Sequence, residues 1–207
     1  MKFTFLGALL CVSLFSSAQI HWAFKAGGQI NTASYKKAGT KFPTSTIAGW
    51  NAGVIAKIYF DDKVAFVTGI EYNAKGYKVI DSIGGPQKTF RLNYLDIPIL
   101  LHIDLAKKRG EGLYCKIGPS IGIGVNGKQK YIDKDGVSIN SPVILSVTGN
   151  HFGAFNAAFN AGLGYSFKNK FFVETAYSYG IGNIYNDPDG PNIKTRVASL
   201  SIGYFLR

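Results

Sequence analysis

The sequence has 207 residues, of which 46% are hydrophobic, 14% aromatic and 17% charged, and its formal net charge is +11. Charged residues make up about 25% of an ordinary soluble protein, so this chain is too apolar to be a disordered one. Its 25 glycines and its scattered polar residues interrupt the apolar runs, which argues against a bundle of membrane helices. A chain of this length is enough for a single all-β domain.

The first 18 residues have the three parts of a secretory signal. Lys2 gives a positively charged start, residues 3–15 are mostly apolar, and the small residues 16–18 precede a cleavage site before Gln19. The apolar run is too short to cross a bilayer as a helix. We therefore expect residues 1–18 to be a cleaved signal peptide and residues 19–207 to be an exported domain, for which no nucleic-acid partner is expected.

After the signal, apolar and polar residues alternate in eight segments, which is the pattern of β-strands. In the first segment Trp22, Phe24 and Ile30 alternate with Lys25 and Gln29. The eight segments, in chain order, are residues 22–31, 50–60, 64–75, 94–103, 113–125, 155–165, 171–180 and 199–206.

The connections between these segments alternate in length. Short turns are predicted at residues 61–63, 104–112 and 168–170. Long loops are predicted at residues 34–47, 79–89, 126–150 and 181–194. Short turns at one end and long loops at the other are typical of bacterial outer-membrane barrels, and each segment allows the ~9–11 residues of a tilted crossing.

The polar class of these strands is rich in Gly, Ala, Asn and Ser rather than in Lys, Glu and Thr. Small residues suit the interior of an eight-stranded barrel, which is only wide enough for side chains. The expected fold is therefore all-β, an eight-stranded antiparallel up-and-down transmembrane β-barrel with its apolar class towards lipid. A soluble barrel with its apolar class inside is the alternative.

Charges in the polar class are nearly balanced in sign. A buried charge is tolerated when it is paired and hydrogen-bonded, so we expect ion pairs inside the lumen and little room for a pore. The predicted lumenal charge network, which is structural in role, comprises Lys25, Lys57, Glu71, Lys75, Asp96, Lys116 and Glu174, with Arg196 as a further candidate.

The stretch YLDIPILLHI, residues 94–103, carries both classes side by side. Its Leu and Ile residues at odd positions are expected to face lipid, and Asp96, Pro98 and His102 to face the lumen. Turning Asp96 outward would cost on the order of a few kcal/mol near the membrane midplane. Pro98 lacks a ladder donor and a closed barrel has no edge strand, so we expect a bulge or a local break there.

Aromatic residues fall in two groups along the strands, as the interfacial girdles of a membrane barrel would. The alternative is that they are scattered strand residues. The group near the turns comprises Trp22, Phe24, Phe60, Phe66, Phe171 and Phe205, and the group near the loops comprises Trp50, Tyr72, Phe155 and Tyr179.

Several stretches together resemble the PorT-like outer-membrane β-barrel proteins of the Bacteroidetes. They are KAGGQIN (residues 25–31), YLDIPILLHI (94–103), KIGPS (116–120), FNAGLGYSF (159–167), YSYGIGNIYND (177–187) and SIGY (201–204). The resemblance covers nearly all of residues 19–207 and implies a barrel in the outer membrane. The secretion role of the protein that gave this family its name is not carried over to the chain.

Candidates for catalysis or metal binding are few. The three histidines have neither metal-ligand spacing nor a nucleophile–base pattern. His102 and Asp96, on one strand, stand about 20 Å apart by strand rise, too far for a hydrogen bond. We therefore expect no enzyme, no metal and no cofactor.

The function expected is that of a non-enzymatic outer-membrane barrel whose loops serve a structural role or contact a partner or surface. Expected partners are outer-membrane lipid and an unidentified protein. The loop lysines are expected to be solvated, and contact with lipopolysaccharide phosphates is the alternative. A narrow solute channel and a soluble periplasmic barrel that binds an apolar ligand are the alternative functions. The loop lysines are Lys36, Lys37, Lys41, Lys128, Lys130, Lys134 and Lys194.

Overall fold

A computed structural model describes residues 19–80, 87–106, 110–132, 136–146, 152–168, 170–187 and 190–206. Residues 1–18, the expected signal peptide, lie outside the described residues. No helix found among the described residues has the length and hydropathy to cross a membrane. The described strands are β1 (Gln19–Lys37), β2 (Thr40–Phe42), β3 (Thr44–Ser45), β4 (Ile47–Tyr59), β5 (Val64–Ile80), β6 (Gln87–Pro98), β7 (Leu100–Asp104), β8 (Gly112–Ile132), β9 (Ser138–Val143), β10 (Leu145–Ser146), β11 (Phe152–Gly153), β12 (Phe155–Phe167), β13 (Phe171–Gly180) and β14 (Asn192–Phe205).

The barrel wall consists of eight strands, called staves, one of which is formed by β6 and β7 together. The staves close into an antiparallel ring in the order β1, β4, β5, β6 with β7, β8, β12, β13 and β14. The ring closes because β14 pairs with β1, where Ala26 lies opposite Ile202, while the other side of β1 pairs with β4, where Ala26 lies opposite Ala52. Closure gives each described wall strand a partner on both sides, although the β4–β5 ladder ends at Asn51 opposite Asn73. The predicted eight-stranded antiparallel up-and-down barrel is confirmed.

The two ends of the barrel differ, as predicted. At one end, called the turn end, β4 joins β5, β7 joins β8, and β12 joins β13 through short connections. At the other, the loop end, the strands extend beyond the predicted segments: β1 continues to Lys37 and β8 to Ile132. The prediction of a loop from residue 126 was therefore wrong, because residues 126–132 pair with β6 on one side and residues 127–132 pair with β9 on the other. Pairing on both sides satisfies the backbone hydrogen-bonding groups of this segment. Its sequence lacks the apolar alternation from which a strand would have been predicted.

Exposure separates the two faces of the wall. In residues 94–103, Leu95, Ile97 and Leu101 are 37%, 38% and 41% exposed, whereas Asp96 and His102 are 8% and 1% exposed. The apolar class thus lies outside and the polar class inside, as a membrane barrel requires and a soluble barrel does not.

Two individual placements differ from the prediction. Phe205, assigned to the aromatic group near the turns, is 8% exposed and packs inside the barrel on Phe172. Arg196, a further candidate for the lumen, lies on the outer face, where its guanidinium carbon is 5.5 Å from the ring centre of the exposed Tyr179. Both residues follow the alternation of β14, in which Leu200 is exposed and Ser201 is buried, so the two predictions departed from that pattern.

The strand that contains Pro98 is broken locally and has no bulge at that point. β6 ends at Pro98 and β7 begins at Leu100, while the amide of Ile99 donates to the carbonyl of Pro119 at 2.9 Å. Register is unchanged across the break, since Asp96 lies opposite Glu71 and Leu100 opposite Val67. A bulge occurs nearer the loop end, where the pairing of β6 with β8 shifts between Asn93 and Tyr94.

Candidate functional site in the barrel interior

The interior of the barrel is filled in layers, and an apolar layer closes the turn end. Phe172 and Phe205 pack with ring centres 5.1 Å apart. A cavity beside this layer has a volume of only about 10 Å³, less than one water molecule occupies in liquid. The layer comprises Ala23, Ile55, Val67, Tyr114, Phe172 and Phe205.

Next to this layer lies a charged centre built on Asp104. Its carboxylate is 3.6 Å from the ammonium of Lys57 and 2.8 Å from Nε2 of His102. It also accepts hydrogen bonds from the hydroxyl of Tyr59 at 2.8 Å and from the amide of Gly110 at 3.0 Å. Sequence reasoning missed Asp104, although its position two residues after His102 places it on the same face of the strand.

The middle of the lumen holds a second centre around Glu174, which is 4% exposed. Its carboxylate forms ion pairs with Lys116 and with Lys25, the latter at 3.5 Å, and accepts a hydrogen bond from the hydroxyl of Tyr114 at 3.0 Å. Lys25 also pairs with Glu71 at 2.9 Å. Strands on opposite sides of the ring are thereby joined through side chains.

Glycine makes this arrangement possible at one point of the wall. A Cβ atom at Gly164 would overlap the ring and hydroxyl of Tyr114. Because glycine leaves that space empty, the Tyr114 ring can lie against the wall and direct its hydroxyl to Glu174.

A third centre lies towards the loop end. The ammonium of Lys75 is 2.7 Å from the carboxylate of Asp96, which also accepts a hydrogen bond from the side-chain amide of Asn73 at 2.9 Å. Buried amides continue this layer, since Gln29 donates to Asn31 at 3.0 Å.

All seven predicted network residues therefore lie on the inner wall, each in an ion pair. The seven comprise four lysines and three acids. The fourth acid, which the prediction did not include, is Asp104, and it forms an ion pair with Lys57. Within the described lumen the paired charges are four lysines and four carboxylates. The cavity among them has a volume of about 60 Å³, room for about two water molecules.

An aromatic layer closes the loop end. Phe90 stacks on Tyr77 with ring centres 5.0 Å apart and packs against Phe152 at 5.3 Å. Ile184, which lies in the connection between β13 and β14, is fully buried in the same layer. The layer comprises Ala33, Tyr77, Val79, Phe90, Leu92, Tyr94, Phe152, Ile184 and Ile193.

Catalytic and metal chemistry find little support in this interior. Among the described residues no group of three or more His, Cys, Asp or Glu side chains is placed to hold a metal ion. The His102–Asp104 hydrogen bond is the arrangement most like a catalytic pair, but the rings of Tyr59 and Tyr114 pack on His102. The adjoining cavity of about 10 Å³ leaves no space for a substrate.

The chain is similar to several solved structures of bacterial proteins. No curated protein sequence matches the chain. Among solved structures, the attachment invasion locus protein Ail of Yersinia pestis, in complex with the heparin analogue sucrose octasulfate, is 15% identical, with 91% of this chain and 99% of that chain covered and a TM-score of 0.49. Neisserial surface protein A is 13% identical, with 88% and 97% covered and a TM-score of 0.45. OprG from Pseudomonas aeruginosa is 14% identical, with 92% and 97% covered and a TM-score of 0.41.

The family comparison is more direct than these structural likenesses. The model of the outer membrane protein beta-barrel domain matches residues 15–186, which is most of the chain and seven of the eight staves of the ring. The chain therefore belongs to the outer membrane protein beta-barrel domain family.

Proposed function

We propose that this protein is a closed, non-enzymatic barrel of the outer membrane that acts through its loop end rather than through its lumen. The observation that carries the proposal is the filled interior. Apolar layers cover both ends of a charge-balanced centre whose cavity has a volume of about 60 Å³. A solute channel would need a continuous water path with charges free to meet the solute, and the described lumen pairs them internally.

The loop end carries the features of a contact surface. The hairpin of β8 and β9 extends beyond the ring, and the neighbouring Val137, Ile139 and Ile144 are 59%, 54% and 60% exposed. Val137 and Ile139 are only two residues apart, and exposed apolar residues that lie close together mark interaction sites. Since long loops of such barrels face the exterior, the hairpin would meet a partner protein or a neighbouring surface outside the cell.

Export and lineage form part of the same proposal. Residues 1–18 would be removed as a signal peptide, leaving a barrel from Gln19 onward. The YLDIPILLHI stretch supports a place among the PorT-like proteins. Sequencing the amino terminus of the protein from isolated outer membranes tests the cleavage, and any start other than Gln19 contradicts it.

Two measurements test the closed barrel. On an unboiled detergent gel, protein from the outer-membrane fraction should migrate differently from boiled protein, since a closed barrel stays folded until heated. In planar bilayers the purified barrel should give no conductance steps. Regular steps would contradict the closed lumen and support the channel instead, and recovery in the soluble periplasmic fraction would contradict the membrane barrel itself.

Labelling with a membrane-impermeant maleimide tests the exposed hairpin. In a Cys115→Ala background, Ile139→Cys on β9 should react on intact cells. Asp62→Cys, in the turn between β4 and β5, should react only after the outer membrane is opened. The reverse pattern would contradict the orientation. A photo-crosslinking residue at position 139 should then yield a discrete adduct that the same residue at position 62 does not.

A further inference from the structure

A groove of about 1170 Å³ lies on the outer wall near the loop end. The part of the groove nearer the middle of the barrel is lined by the stacked pair Trp50 and Tyr72, whose ring centres are 4.9 Å apart. The part nearer the loop end carries Arg91 and Lys128, which lie directly opposite each other on β6 and β8. None of the described residues that line the groove is acidic.

The bulge in the β6–β8 pairing creates this cationic pair. On the turn-end side of the bulge Tyr94 lies opposite Gly124, and on the loop-end side Asn93 lies opposite Asn126. Val125 is therefore the extra residue. Each extra residue reverses which face later side chains take. On the turn-end side of the bulge the odd-numbered residues of β8 point outward. Without the bulge, the even-numbered Lys128 would therefore point into the lumen. With it, Lys128 is exposed beside Arg91.

Two like charges directly opposite on neighbouring strands repel each other. Without an acid among the described lining residues, an anion is the natural counter-charge for this pair. The guanidinium of Arg91 offers a planar fork of donors suited to phosphate, and the ammonium of Lys128 adds a compact charge beside it.

The order of side chains along the wall identifies the kind of anion. Leu95 and Ile97 face lipid, and Tyr72 lies level with Leu95. Trp50 adjoins Asn51 on β4, and Asn51 lies opposite Asn73, which in turn lies opposite Tyr94 on β6. Trp50 therefore lies near the level of Asn93. Because the outer face repeats every second residue, Arg91 is one step of about 7 Å further from the membrane than Asn93.

This sequence of apolar, aromatic, amide and cationic groups matches a lipid from its acyl chains to its phosphate. Aromatic rings prefer the depth of lipid headgroups, and cations beyond them meet lipid phosphates. We propose that the groove binds a phosphate-bearing glycolipid of the outer leaflet, of the lipid A type, with its phosphate between Arg91 and Lys128 and its sugar–acyl junction on Trp50 and Tyr72. The inference rests on the proposed outer-membrane location and names one lipid site there.

Titration of the folded barrel in detergent micelles with diphosphorylated lipid A tests the site. The double variant Arg91→Gln/Lys128→Gln should weaken binding by about 30-fold, as expected for two near-surface charges. The matched control Lys36→Gln/Lys41→Gln removes another opposed cationic pair, on the β1–β2 hairpin outside the groove, and should change binding less than twofold. The charge-preserving variant Arg91→Lys should retain most of the binding.

Other probes separate the lipid from a simple anion. Dephosphorylated lipid A should bind as weakly as the double variant does to the intact lipid, and inorganic phosphate at equal concentration should not displace the lipid. Trp50→Ala should weaken lipid binding.

Three results would overturn the proposal. Equal losses of lipid A affinity in the two double variants would show general charge attraction. Unchanged affinity in Arg91→Gln/Lys128→Gln would show that the groove is not used, and tight binding of inorganic phosphate alone would show that the ligand is not a lipid. Every variant is first checked for the heat-dependent gel shift. A barrel that folds and shifts but does not bind lipid A refutes this inference and leaves the proposed function standing.

Discussion

Glu174→Gln tests how much the central ion-pair cluster contributes to stability. The substitution keeps the shape of the side chain and removes its charge, so Lys116, which is 6% exposed, loses its ion-pair partner. Breaking a buried pair by removing one partner costs about 3–5 kcal/mol, because the remaining charge stays desolvated. At about 1.4 kcal/mol per power of ten, the folding equilibrium should fall by a factor between about 10² and 10³·⁵.

The matched control is Glu71→Gln. Glu71 is more exposed, at 13% of its side chain, and its partner Lys25 keeps Glu174 as a second acid. Lys25 therefore loses one of its two acidic partners and keeps the other, so the expected cost is smaller, about 2 kcal/mol, as for a hydrogen bond to a charged group. Urea titration of the refolded barrel in detergent, with the folded fraction read from unboiled gels, measures both values.

A rescue variant separates the charge from the packing. Glu174→Gln/Lys116→Met removes both partners and leaves the Lys25–Glu71 pair in place. Because the double variant leaves no desolvated lysine without an acid, most of the stability should return. Equal losses in Glu174→Gln and Glu71→Gln, or no recovery in the double variant, would refute the reasoning that an unpaired lysine causes the defect.

Three further predictions use the same titration. Asp104→Asn should cost about 2–3 kcal/mol by removing the charged acceptor of the Tyr59 hydroxyl and the Gly110 amide, and a loss below 1 kcal/mol would contradict that role. Ile97→Lys, in the lipid-facing band, should cost about 2–4 kcal/mol, whereas Ile139→Lys on the hairpin should have little effect; equal effects would contradict the membrane-facing assignment. Gly164→Ala should cost about 1–3 kcal/mol through overlap with the tyrosine ring opposite, whereas Gly28→Ala has open space and should change stability by less than about 0.5 kcal/mol; similar values would refute the steric argument.

The sequence by itself determined the eight strands, the ring they form and the face that each central residue takes. Alternation with a period of two is a local property of an extended chain, and it is strong where one face meets lipid and the other a crowded lumen. Asp96 shows this well, because its inward position follows from the isoleucines and leucines on either side of it. The break at Pro98 is equally local, since proline brings no amide hydrogen to the ladder.

Tertiary structure decided how the strands meet and what lies above the membrane. The pairing of Lys57 with Asp104 depends on a register between strands that are far apart in sequence. The extension of β8 to Ile132 depends on partners on both sides, because its alternation ends where lipid no longer covers one face. Lys128 is the sharpest case: counting by twos along β8 places it inside, and the single extra residue at Val125 turns it outward beside Arg91. Register and bulges arise from hydrogen bonding between strands, so no pattern within one strand can fix them.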